Sequence, residues 1–123
     1  MTTYSDKVGP TDCGADTEVR VGGAAITIPS GKGGRIKEIH VAKANVVNAK
    51  ASSGFLELKL GSHSGPFKFA IGGGEGAATI GTHKDAEVIH VDIEVFANET
   101  VDCYVTCAEA NVDCVVSILW VAA

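Results

Sequence analysis

Aromatic side chains are scarce in this sequence, which holds one Trp, two Tyr and four Phe. A carbohydrate-binding face built from rings therefore has little to draw on. Cations are outnumbered too. Ten Lys and Arg against fifteen Asp and Glu leave a formal net charge of −5, and no stretch gathers the positive residues. Nucleic-acid binders display a basic patch that releases counterions from phosphates, so direct contact with nucleic acid is not expected. The longest apolar runs fall far short of the roughly 20 residues that span a bilayer, which argues against a membrane span. Residues Met1 to Lys7 lack the basic-then-apolar plan of a secretory signal, and the expectation is synthesis in the cytosol.

Familiar catalytic motifs are missing as well. No G-x-S-x-G or H-E-x-x-H occurs, which removes two common hydrolase classes. Ser30-Gly-Lys-Gly-Gly34 lacks the upstream glycine of a phosphate-binding loop, and a strand pattern follows it. It reads as a connecting loop. Gly72, Gly74 and Ala77 satisfy G-x-G-x-x-A, but the following Ala77–Thr82 is a poor helix, so a flexible loop is the better reading. The longest Gly-rich segment, roughly 72–85, keeps an interest as a contact loop. The chain is expected to be no enzyme and to need no cofactor.

What is abundant is β-branched and small. Hydrophobic residues make up 46% of the chain, mostly Val, Ile and Ala, and there are fifteen glycines. At 123 residues this is one domain. The polar, aperiodic residues 1–16 read as an extended N-terminal arm, and 17–123 as a single sandwich domain. Strand patterns fall on Thr17–Val21, Ala24–Ile28, Arg35–Lys43, Phe55–Leu60, Phe67–Ile71, Glu87–Phe96, Thr100–Thr106 and Asp113–Val121. In Glu87–Phe96, Ile89, Val91, Ile93 and Val95 alternate with His90, Asp92 and Glu94, one face for a core and one for water. Val101, Val105, Val116 and Ile118 join the expected core, with Trp120 beside them. The link Ala97-Asn98-Glu99 suggests a hairpin, and Ala108–Val112 a second one. Residues 42–53 could form a short helix or a long loop. Eight strands at this spacing argue for an antiparallel all-β sandwich, with jelly-roll and immunoglobulin-like topologies as contenders.

Two clusters could carry chemistry. His90, Asp92 and Glu94 share a strand face and are candidate metal ligands, although such triplets more often form the wet or subunit-facing side. The four cysteines are Cys13, Cys103, Cys107 and Cys114. Without a second close Cys-x₂₋₄-Cys pair they fit structural zinc poorly. On strand alternation Cys107 and Cys114 face the same way and bracket one turn, making them a candidate disulfide across the last hairpin. Outside the cell Cys13–Cys103 would follow, whereas in a reducing compartment all four stay thiols. Asn98-Glu-Thr100 is a glycosylation sequon, a pattern that arises often by chance.

The sequences Val88-Ile-His-Val-Asp-Ile-Glu-Val-Phe96, Asp102-Cys-Tyr-Val-Thr106 and Val115-Val-Ser-Ile-Leu-Trp-Val121 resemble the closing strands of a single jelly roll. Ile28-Pro-Ser-Gly31 leading into Arg35-Ile-Lys-Glu-Ile-His-Val41 is similar in the same way. The pattern resembles that of viral coat and virion structural proteins and related trimer-forming modules. The resemblance favours a jelly roll and implies a structural protein that self-assembles in a virion or extracellular assembly. Its partners would be copies of itself and other virion or surface proteins. Coat proteins that line a genome often carry a basic arm, whereas residues 1–18 hold Asp6, Asp12, Asp16 and Glu18 against Lys7. That departure favours a coat or decoration subunit away from nucleic acid. A carbohydrate- or ligand-binding sandwich is the alternative, and a small enzyme on the same scaffold a second one.

Overall fold

Alternating side chains need two apolar faces to meet, and the chain supplies them as two antiparallel sheets packed into a sandwich. A computed structural model describes residues 2–14, 16–45, 53–71, 85–108 and 112–123. Its strands are β1 (Thr3–Asp12), β2 (Val19–Arg20), β3 (Ile26–Thr27), β4 (Gly34–Asn45), β5 (Gly54–Leu60), β6 (Phe67–Ile71), β7 (Asp85–Val95), β8 (Thr100–Cys107) and β9 (Val112–Ala122). A short 3₁₀ turn, Val21–Gly23, separates β2 from β3. The first sheet has the order β1-β9-β4-β7; the second runs β2-β8-β5-β6, with β3 also on β8. No helix among the described residues is long and apolar enough to cross a membrane.

All eight expected strands are present within a few residues. The core follows their alternation: Leu56, Leu58, Val101, Val105, Val116, Ile118 and Trp120 are fully buried, with Ile93 and Val95 nearly so. Each large aliphatic side chain so buried contributes about 1.5–3 kcal/mol relative to exposure. Ile89 and Val91 face the core but are only partly buried, because among the described residues β7 is an edge strand beside β4. Gly34 and Gly54 hold equivalent places, each the first residue of an interior strand. A Cβ at Gly34 would overlap the Val121 carbonyl, and one at Gly54 the Thr106 carbonyl. Only glycine lets those strands approach so closely.

Two expectations are corrected. β7 and β8 lie in different sheets, as do β8 and β9, so neither pair is a hairpin. Their short links are corners that carry the chain across the sandwich. The first is fixed by Glu99, which is 8% exposed. Its Oε1 accepts the Phe96 N–H at 2.8 Å, and its Oε2 accepts the Ser62 N–H at 2.6 Å and the Ser62 hydroxyl. The corner is also laced to the end of β3 by Ile28 N–H to Glu99 O and Asn98 N–H to Ile28 O.

The segment read as an N-terminal arm is extended, and Thr3–Asp12 lies along β9 as β1. Tyr4 stacks on Trp120 with ring centroids 4.6 Å apart. Asp6 Oδ2 accepts the indole N–H of Trp120 at 2.9 Å, and Val8 pairs with Val116. A buried indole donor needs a partner, and Asp6 supplies it. β4 continues to Asn45, and 46–52 lie outside the described residues.

Candidate functional site

β9 sits between β1 and β4, with Val112, Cys114, Val116, Ile118 and Trp120 filling the core. Its other side chains must therefore point outward, and they read Asp113, Val115, Ser117, Leu119 and Val121, all half-buried. Three aliphatics among five outward positions is a high share for the wet face of an antiparallel sheet. Ser117 and Leu119, with Ser5, Glu38 and His40, line a shallow cavity of about 240 Å³. His40 Nε2 lies 2.9 Å from Glu38 Oε1. Nearby on β7, Val88 is 46% exposed.

The candidate metal ligands His90, Asp92 and Glu94 do share the exposed face of β7. The middle one is already engaged: Asp92 Oδ1 accepts Arg35 Nε–H at 2.6 Å and Lys37 Nζ–H at 2.9 Å. Those two hydrogen bonds hold its carboxyl below the usual range, and the Asp92 carboxylate raises the Arg35 guanidinium in turn. Lys37 reaches Asp92 at the irregularity in β4 between Ile36 and Glu38. Among the described residues no group of three His, Cys, Asp or Glu is arranged to hold a metal.

The outer face of the second sheet is dressed differently. Arg20 pairs with Asp102. Lys59 lies 3.5 Å from Glu18 and 3.7 Å from Glu57, with its ammonium 4.0 Å from the Tyr104 ring centroid. Lys68 stands 4.7 Å over Phe55. Shallow cavities of about 210 and 330 Å³ flank Phe55, the first with Asp16, Glu18 and Glu57 in its wall. Both outward rings carry the chain's own cations over them, an arrangement that suits cation–π attraction better than a bare stacking platform.

At the end of the sandwich remote from Glu99, three thiols converge. Cys13 N–H donates to Val112 O at 2.7 Å, and Cys107 N–H donates to Cys13 O at 3.1 Å. Cys13 thus bridges the last residue of β8 and the first of β9. Cys107 Sγ and Cys114 Sγ are 4.0 Å apart. They face each other from opposite sheets, not along a hairpin as expected. Hydrogen bonding with Cys107 and with Cys13, then burial, raises the Cys114 thiol. Cys103 is buried elsewhere on β8, and burial followed by the Asp102 charge pushes it up to about 12. All four cysteines are buried thiols. The expected Cys13–Cys103 association is replaced by Cys13 against Cys114.

Ser30–Gly34 is a turn leading into β4, stabilised by Lys32 N–H to Pro29 O. Of the Gly-rich segment 72–85, residues 72–84 lie outside the described residues. Asn98 sits exposed in the β7–β8 corner with φ 66°. Sequence reasoning missed the outward aliphatics of β9, although the same alternation that identified its core face also exposes them. It missed Glu99, whose role depends on Ser62 from a distant turn. Comparison with protein-family models, with curated proteins and with solved structures finds no match for this chain.

Proposed function

We propose that the chain is a non-enzymatic jelly-roll subunit that assembles with copies of itself, as a coat or decoration component without direct contact to nucleic acid. The strand order supports the jelly-roll reading. β2 and β3 pair with successive parts of β8 and act as one interrupted strand, leaving four strand positions in each sheet. Apart from that interruption, the chain crosses between sheets at every connection except β5–β6. An immunoglobulin-like domain instead keeps several consecutive pairs within one sheet.

The observation that carries self-assembly is the outward face of β9. Val115, Leu119 and Val121 lie in the middle of the first sheet, where solvated side chains belong, and Val88 is exposed on the same face of β7, with His40 of β4 between it and β9. Apolar side chains mixed with charge on one face suit a protein contact site, and here Arg35 and Glu38 of β4 stand directly opposite Val121 and Leu119. The carbohydrate-binding alternative loses its best ring, since Trp120 is fully buried.

Sedimentation of the purified chain at micromolar concentration and near-physiological salt tests this. A defined oligomer is expected, reduced to monomer by Leu119→Lys and by Val88→Lys, while Tyr104→Ala on the opposite face leaves it intact. A wild-type chain that sediments only as monomer overturns the reading.

A further inference from the structure

The three-sulfur cluster is independent of assembly. It stands on two observations: the 4.0 Å approach of Cys107 Sγ to Cys114 Sγ across the sandwich, and the backbone bonds that seat Cys13 between Val112 and Cys107. Cys114 is the shared member, in contact with both other thiols. A relaxed disulfide needs sulfurs about 2.05 Å apart, so the 4.0 Å approach of Cys107 to Cys114 has to shorten by side-chain rotation as the bond forms.

We propose that Cys13, Cys107 and Cys114 form a thiol–disulfide exchange triad in which Cys114 bonds alternately to Cys107 and to Cys13. The oxidant is a small organic disulfide of the glutathione class. One cysteine thiolate attacks that disulfide and expels a small thiolate. The second cysteine, deprotonated, attacks the protein sulfur of the mixed disulfide and expels the other small thiolate. Two electrons and two protons leave the cysteine pair, and the oxidant becomes two thiols. Exchange within the triad is redox-neutral: the Cys13 thiolate bonds to Cys114 Sγ, and Cys107 leaves as a thiolate that takes up a proton. One bond staples the two sheets together. The other ties the end of β1 to β9 and closes a loop spanning most of the chain, the larger restriction on the unfolded state. Burial keeps the folded cluster from small oxidants, so bonding follows folding or local opening.

Refolding from denaturant in a glutathione redox buffer, then non-reducing peptide mapping, tests the assignment. Cleavage after Tyr104 and before Asp113 separates the three C-terminal cysteines. The wild type is expected to yield Cys107–Cys114 and Cys13–Cys114 bridges with Cys103 still alkylatable. Cys13→Ala should yield only the first bridge and Cys107→Ala only the second. A bridge to Cys103 in the folded wild type, or only mixed disulfides with glutathione, overturns the proposal. So does retention of a single bridge type, with nothing formed in Cys107→Ala. Because the wild-type map alone can refute it, the test holds even where a variant fails to fold.

Discussion

At one end of the sandwich a carboxylate closes the chain crossing; at the other, three sulfurs do. Glu99 gathers two backbone N–H groups and a hydroxyl from separate segments, so that end is directional and depends on charge. Cys13, Cys107 and Cys114 behave as small apolar groups with weak polar character, so their end packs like core and answers to oxidation. The two ends should therefore fail under different conditions.

The largest effect expected lies between them and sets the scale. Ile93→Ala, at a site 5% exposed, should cost about 2–5 kcal/mol in urea unfolding. A loss under about half a kcal/mol would mean that β7 presents the other face to the core.

Glu99→Gln separates the ends. Burial raises the Glu99 pKa, but the donors Ser62 and Phe96 outweigh it and leave the carboxyl below its ordinary value near 4.5. A carboxyl lowered by folding adds stability at neutral pH that is lost as pH falls from that value through the folded one. The substitution should cost about 2–3 kcal/mol at pH 7, with the gap to wild type narrowing below pH 5. The sulfur cluster holds no carboxylate, so it contributes no slope over that range. A gap that stays constant to about pH 3 would remove the distinction.

The smallest effect belongs to the surface. Asp102→Asn breaks the pair with Arg20, and partly exposed pairs of this kind contribute less than about 1 kcal/mol. Urea unfolding at low and high salt checks it, since the difference should shrink as salt rises.

Much of this architecture is written in the period-2 pattern. Leu56, Leu58 and Leu60, or Val116, Ile118 and Trp120, can serve one buried face only, and the strands follow. β1 escaped because its inward positions are Tyr4, Asp6 and Val8; a carboxylate there makes sense only once Trp120 offers its N–H. The corners escaped because Ala97-Asn98-Glu99 has the length of a hairpin link, and Ser62 reveals the difference from 37 residues away. For the cysteines, alternation correctly turned Cys107 and Cys114 inward, but which strand lies opposite is a property of topology. His90, Asp92 and Glu94 were legible as a row, while Arg35 and Lys37, which claim Asp92, belong to another strand.

The position of β9 has a consequence in time. This strand separates β1 from β4 in the first sheet, yet both are synthesised long before it. A growing chain that has reached β8 can pair β8 with β5, β5 with β6, and β4 with β7, but β1 lacks the strand it pairs with and β4 keeps an open edge. The apolar side of the second sheet then lacks much of its cover. Unpaired edges and uncovered apolar faces are what nascent chains aggregate through. The first sheet is therefore complete only when Val112–Ala122 lies between β1 and β4.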